Sequence, residues 1–286
     1  MISGVRLFKD FKNPRLLKFI AVIALSDGSI ESYKDYKKEL RLGTHKDSTQ
    51  QHELLNYLSN RIIGKNIAQY QYKDMLSSRV YSKKLITALY NLSPEYKTTP
   101  TKETKAEFLS KPQPTLKFIL NESKKVQMLA FRMWFDFEGS MISRFRLAKK
   151  IDKGYLYYDI AFSYEIFLAE TNPSLVNDLV ELSSNLGFKA LIMKSKRNWS
   201  GIEGIRIYRK RDVSKFAKIG PITNVKVSKK SPKLAGFKKR SICLATDHVL
   251  KWKKIHWSFK DLLPASGLKQ ELDKKWIKTI KKYDLA

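Results

Sequence analysis

The sequence predicts an α+β protein built from two copies of one αββαββα unit. Three observations predict it. Two apolar helices each stop at an acid–glycine pair, the stretches after each pair alternate in the same way, and a proline-rich stretch separates the copies.

The first helix is Leu16-Leu17-Lys18-Phe19-Ile20-Ala21-Val22-Ile23-Ala24-Leu25, apolar nearly all round and followed by Ser26-Asp27-Gly28-Ser29-Ile30. Alternation and turn residues then predict strands over 29–34 and 39–46, a helix over 48–63, strands over 66–73 and 78–81, and a helix over 83–92. The second helix begins at Val126 and runs through Phe131, Met133, Trp134 and Phe137 to Glu138-Gly139-Ser140-Met141. Strands follow over 140–149 and 155–167, then a helix over 173–186 with Asn172 as its cap. Strands over 188–196 and 204–210 and a helix over 212–219 complete the copy. Gly28 and Gly139 lie 111 residues apart, room for one compact subdomain and a connection.

The resulting organisation is a first half at 1–92, a linker at 93–123, a second half at 124–225 and a basic extension at 226–286. The linker holds Pro94, Pro100, Pro112 and Pro114 among many Thr and Lys, the composition of a tether rather than of a core element. The extension opens with Lys226, Lys229, Lys230, Lys233, Lys238, Lys239 and Arg240. It also carries Trp252, Trp257 and Trp276, which either pack on the second half or leave the extension free to grip phosphate.

With 286 residues, 43% hydrophobic and 12% aromatic, the chain can bury a full core. Its 56 Lys and Arg against 27 Asp and Glu leave a net charge of +29, more than solubility needs. Such a surplus calls for a polyanion, above all nucleic acid. Thermophilic Lys enrichment normally comes with matching Glu, which is missing here. A single Cys243 excludes internal disulfides and thiolate clusters. The histidines His45, His52, His248 and His256 show no ligand spacing and read as solvated or packing groups. Arg6, Lys9, Lys12 and Arg15 before an apolar run have the outline of a signal peptide. Against that, Lys18 interrupts the run and the same signature recurs inside the chain. No segment reaches the ~20 apolar residues of a membrane span, so the expected location is the cytoplasm or an organellar matrix, with no membrane partner.

Helices apolar around their circumference must be buried, and two of them are most economically buried against each other. Glycine can take the left-handed conformation that ends a helix, which puts Asp27 and Glu138 in last turns. The helix dipole disfavours a carboxylate there and burial disfavours its charge further. An unfavourable placement repeated at matched positions asks for a compensating partner. Mg²⁺ is one, since it is held by one or two carboxylates with phosphate oxygens and water, and such a site suits phosphodiester hydrolysis.

At these residues the chain resembles the LAGLIDADG homing endonucleases in their single-chain, two-motif form. Residues 20–28 and 131–139 are the nine-residue motifs, and the likeness spans roughly 15–226. The resemblance implies pseudo-two-fold symmetry and two saddle-shaped antiparallel sheets packed through the motif helices. It further implies a monomer that cuts both strands of a long, pseudo-palindromic DNA target, with Mg²⁺ or Mn²⁺ as cofactor. Asp27 and Glu138 would hold the metals, with Gly28 and Gly139 counted at the same positions. The family also sets basic residues around the attacking water. Lys226 resembles one and Lys97 a second, though each reads equally well as a phosphate-binding lysine. Val22 and Met133 stand where the family usually has a small residue, which implies a looser helix contact. Leu25 replaces an acid that Asp136 keeps in the second copy.

Alternation places Gln69, Gln71 and Lys73 on one strand face, with Ala68, Tyr70 and Tyr72 on the other. Arg144 and Arg146 alternate with Phe145 and Leu147, and Arg206, Tyr208 and Lys210 with Ile205, Ile207 and Arg209. Arg pairs with guanine and Gln with adenine, so these are the expected DNA readers. The sequence therefore predicts a site-specific double-strand DNA endonuclease. The alternative is a protein of the same fold that has lost cleavage, an intron-RNA maturase or a DNA-binding regulator.

Overall fold

In the computed structural model, residues 15–33, 37–228, 231 and 233–285 are described. Arg6, Lys9, Lys12, Lys34, Lys229 and Lys230, which figure in the sequence expectations, lie outside that set.

The first copy runs α1 (Leu16–Leu25), β1 (Gly28–Tyr33), β2 (Lys37–His45), α2 (Thr49–Ile63), β3 (Ala68–Tyr72), β4 (Met75–Tyr81) and α3 (Lys83–Tyr90). Helices α4 (Lys105–Leu109) and α5 (Lys117–Leu120) follow. The second copy is α6 (Lys124–Glu138), β5 (Gly139–Asp152), β6 (Tyr155–Ala169), α7 (Pro173–Asn185), β7 (Ala190–Lys194), β8 (Ile202–Ile207) and α8 (Lys210–Ile219). The extension adds α9 (Lys239–Leu250), β9 (His256–Phe259) and α10 (Leu262–Leu285). The two sheets repeat one strand order, β1-β2-β4-β3 and β5-β6-β8-β7, with β9 added beside β6. That shared order is the duplication expressed as topology.

By density of contacts the chain falls into two compact units. Among the described residues, one holds those up to Gly139 with Leu168–Arg206 and Pro221–Val225; the other holds Ser140–Phe167, Ile207–Gly220 and those from Lys226 on.

In the first unit α1 is buried at Leu16 and from Phe19 through Leu25. Lys18, which interrupts the apolar run, is half-buried and pairs with Glu122 just ahead of α6, Nζ to Oε1 at 2.7 Å, while Arg15 holds the other carboxylate oxygen at 3.0 Å. Backbones of α1 and α6 approach within 8 Å between Cα atoms. Val22 and Met133 are both fully buried. Asn172 caps α7 as expected, its side-chain oxygen accepting from Ser174 N at 2.9 Å, with Pro173 in the first turn.

The connection over 93–123 departs from a tether. Tyr96, Phe108, Leu116, Phe118 and Ile119 are buried, and Thr104 with Glu107 forms a capping box on α4. Asp178 of α7 accepts from Thr115 Oγ1 at 2.7 Å and Leu116 N at 2.6 Å, pinning the segment. Its spaced apolar residues supply the packing.

In the second unit the tryptophans of the extension pack on the strands. Trp252 stacks on Phe145 at 6.0 Å between ring centroids, Trp257 lies at 6.1 Å from the same ring, and Trp276 meets Phe162 edge-on at 5.3 Å. On the β6–β9 pairing Asp159 is buried, where Lys150, His256 and Ser258 surround its carboxylate and hold it down to about 2.

Candidate nuclease site and DNA-reading surface

Both motif acids lie where the chain passes from a motif helix into a sheet. Glu138 is the last residue of α6, and Gly139 is the first of β5. In the first copy the helix stops earlier, at Leu25; Ser26 and Asp27 form a turn, and β1 begins at Gly28. Asp27 and Glu138 are both half-buried, each following a buried apolar run.

The glycines act by their size. Gly139 is extended at φ −97 and ψ 156, and Gly28 is absent from the positive-φ residues, which corrects the left-handed cap expected from sequence. Each strand turns back so tightly on its helix that a Cβ at Gly28 would sit 2.7 Å from Ala24 Cα and 2.9 Å from Ile23 O. At Gly139 it would sit 2.5 Å from Phe135 Cα and 2.7 Å from Phe135 O. An acid followed by glycine therefore marks an immediate helix-to-strand reversal.

Asp136, two residues before Glu138, is fully buried, and its Oδ2 accepts from the backbone N–H groups of Ile222 and Thr223 at 3.0 Å each. Its carbonyl accepts from Gln51 of α2 at 2.9 Å. Arg132 binds Pro221 O at 2.9 Å, and Gln50 accepts from Asn224 N at 2.7 Å. The sixth motif position thus fixes the strap of residues 221–225 and leaves Glu138 as the outward acid. Leu25, its counterpart, is fully buried.

A further carboxyl lies within electrostatic reach of Glu138. Glu170, directly after β6, receives the N–H groups of Thr171 and Asn172 at 2.7 Å each. Burial nonetheless pushes its carboxyl up to about 8, and the negative charge of Glu138 adds to the shift. Sequence reasoning missed this residue; its signal was an acid between a strand and the Asn-Pro start of a helix.

Of the two candidate lysines, Lys97 is engaged within the connecting segment. Its ammonium binds Glu103 at 2.6 Å and Thr101 at 3.1 Å, 5.7 Å above the Phe108 ring. Lys226 is exposed, immediately beyond the strap, in an isolated backbone bridge with Lys238.

The first sheet reverses one expectation. Gln69 pairs with Ser78 and Gln71 with Leu76, and Ser78 pairs with Leu42. Residues directly opposite share a face. That face is the one covered by helices: Leu40 and Leu42 are fully buried, and His52 of α2 bonds Ser78 Oγ at 2.7 Å and Thr44 Oγ1 at 2.8 Å. The alternation correctly groups the residues, but Gln69 and Gln71 are on the helix side, exposed where β3 forms the sheet edge, and Lys73 sits in the following turn at φ 52. The open face carries Ser29, Arg41, Tyr70, Tyr72, Ser77 and Arg79. Tyr70 and Tyr72 are 53% and 72% exposed, and the Arg79 guanidinium lies 5.5 Å over the Tyr70 ring.

On β5 the expected alternation of exposed and buried side chains is present. Arg144 and Arg146 are exposed, while Ser143 and Phe145 are buried and Ser143 bonds Thr246 of α9 at 3.0 Å. On β8, Arg206 is half-buried between Ile205 and Ile207. Tyr208 lies just past the strand and is exposed, and Lys210 opens α8.

Among the described residues no three His, Cys, Asp or Glu side chains gather as a metal cage. The carboxylate oxygens of Asp27 and Glu138 are hard donors, the type that binds a hard cation together with phosphate and water.

No family model matches the sequence, and no curated protein does. Solved structures do. The chain is similar to the meganuclease I-SmaMI bound to uncleaveable DNA, with a TM-score of 0.50 at 11% identity, covering 96% of this chain and 97% of that one. It is also similar to I-DmoI in complex with DNA and Ca, with a TM-score of 0.48 at 16% identity over 82% and 97% of the two chains. Mesophilic variants of the homing endonuclease I-DmoI give 0.47 at 14% identity over 71% and 87%. The first of these, nearly full-length on both sides, shows the fold.

Proposed function

We propose that this chain, which has the fold of the LAGLIDADG homing endonucleases, is a site-specific double-strand DNA endonuclease that works with Mg²⁺ or Mn²⁺. The observation that carries the proposal is the placement of Asp27 and Glu138. Two helices buried against each other each lead to a half-buried acid that opens a sheet, in a protein of net charge +29.

The chain's own residues divide the work. Asp27 and Glu138 would hold the cations, with the peptide oxygens at Gly28 and Gly139 beside them. The chemistry that a cation would supply there is activation of water and stabilisation of the leaving oxygen of a phosphodiester. Asp136 holds the strap and thereby the end of α6. Arg41, Arg79, Tyr70 and Tyr72 on the first sheet, and Arg144, Arg146 and Arg206 on the second, present the donors and ring faces suited to bases and phosphates. Lys226 stands beside the strap as a phosphate-binding or water-orienting lysine, while the Glu103 contact of Lys97 favours a folding role for it.

The test is incubation of the protein with a randomised plasmid library and Mg²⁺, followed by sequencing of the ends produced. Cuts at one recurrent sequence, abolished by EDTA, support the proposal. Tight DNA binding without cuts at any divalent concentration would instead identify a binding protein of this fold.

A further inference from the structure

The sheet face is not the only basic surface in the second unit. Helix α10 buries Ala265, Leu272, Trp276 and Ile280 on one side. Its opposite side exposes Lys274, Lys278 and Lys281 at helical spacing, about 6 Å and then about 4.5 Å apart along the axis. Among the described residues none of the three forms an ion pair.

Two adjoining cavities link this row to β5. One, of about 520 Å³, is lined by Arg144 and Met141 together with Lys233, Asp273, Trp276 and Ile277. The next, of about 540 Å³, shares Lys233, Asp273 and Ile277 and continues along Lys274, Lys278 and Lys281. Asp273 is the acid among these lining residues, and it is already held by Lys233 at 2.8 Å and Lys269 at 2.6 Å. The first cavity is walled mainly by apolar side chains, and the basic heads bordering the groove the pair forms run from Arg144 and Lys233 to Lys274, Lys278 and Lys281.

We infer that this groove carries the phosphate backbone of duplex DNA flanking the recognised site, leading it off the β5 edge and along α10; the inference rests on the endonuclease function proposed above. Charge complementarity picks a polyanion, and Lys heads act as point charges suited to phosphates. The exposed side of α10 offers no aromatic ring on which unpaired bases could stack, which favours a duplex over a single strand. The groove begins at Arg144, a residue of the proposed DNA-reading face, so the polymer that meets one end is DNA. The extension thus does two things: its tryptophans complete the core under β5 and β6, and its lysines lengthen the DNA track.

The test compares a duplex trimmed to the selected site with one carrying about one more helical turn, ~10 base pairs, on each side. Wild type is expected to bind the longer duplex more tightly and with a steeper salt dependence. The triple variant Lys274→Ala/Lys278→Ala/Lys281→Ala keeps the affinity for the short duplex and loses the increment, its log-log salt slope on the long duplex falling by roughly 2.7. Triple Lys→Arg replacement retains the increment. The inference is overturned if wild type gains nothing from the added turns, if the Ala variant keeps the gain, or if it weakens both duplexes equally. Loss confined to a structured RNA would likewise overturn it. Failure of wild type to bind either duplex would instead sink the endonuclease proposal itself.

Discussion

Asp136 accepts a hydrogen bond from the backbone N–H of Thr223 at 3.0 Å, and the same oxygen takes the N–H of Ile222. A fully buried carboxylate in the last turns of α6 thereby fixes the strap that follows α8. Replacing it with Ala leaves two buried N–H groups without their charged acceptor, at a cost of about 3 kcal/mol. Asp136→Asn, which keeps one acceptor oxygen, loses less. Urea unfolding measures both; a loss under about 0.5 kcal/mol for Asp136→Ala would match a surface position and contradict the clamp.

Gly139→Ala forces a Cβ to within 2.5 Å of Phe135 Cα. The backbone must shift, at a cost of about 2 kcal/mol, and Glu138 shifts with it, so activity falls together with stability. Gly43→Ala is the control, since nothing lies within 4 Å of a Cβ there. Equal denaturant midpoints for the two variants would remove the close-approach explanation.

His52 is fully buried between Thr44 and Ser78, and burial lowers its pKa to about 4. The unfolded chain takes up this proton near pH 6.5 and the folded one only near 4. Its contribution to stability is therefore fully present above 6.5 and is lost as pH falls through about 4. In wild type, stability declines across that window, and His52→Gln flattens the decline. Identical pH profiles for the two proteins would contradict a neutral buried imidazole.

Glu170 titrates in the opposite sense. Its folded pKa, near 8, is raised above the ordinary carboxylate value, so the folded state holds a proton that the unfolded state has already lost. Stability from this group is fully present at low pH and is lost as pH rises through about 8. Glu170→Gln keeps an acceptor for Thr171 and Asn172 and removes the titration. Its melting temperature should exceed that of wild type at pH 8.5 by more than it does at pH 5; a constant difference would argue against a protonated Glu170.

Much of this architecture was legible in the sequence because burial leaves a periodic trace. The runs at Leu16 and Val126 can only be interior helices, and their shared acid–glycine ends announced the repeat. Arg144 and Arg146 were legible for the same reason, with Phe145 marking the buried side. The alternation around Tyr70 groups side chains but does not say which face the helices cover, and an edge strand exposes both, so alternation alone cannot put Gln69 and Gln71 on the helix side. The connection has a tether's composition because of its prolines, while Tyr96, Phe108 and Ile119 carry the packing signal. Asp136 is legible as a motif position that keeps its acid, but its partners Ile222 and Thr223 lie 86 and 87 residues away and leave no local mark.

The most direct test of the central claim is conversion of supercoiled plasmid carrying the selected site, in Mg²⁺, by wild type, Asp27→Asn and Glu138→Gln at equal site occupancy. The account predicts linear product with wild type, and loss of linear product with either variant while binding to the site persists. Undiminished linear product from either variant would contradict the assignment of Asp27 and Glu138 as the two halves of one site.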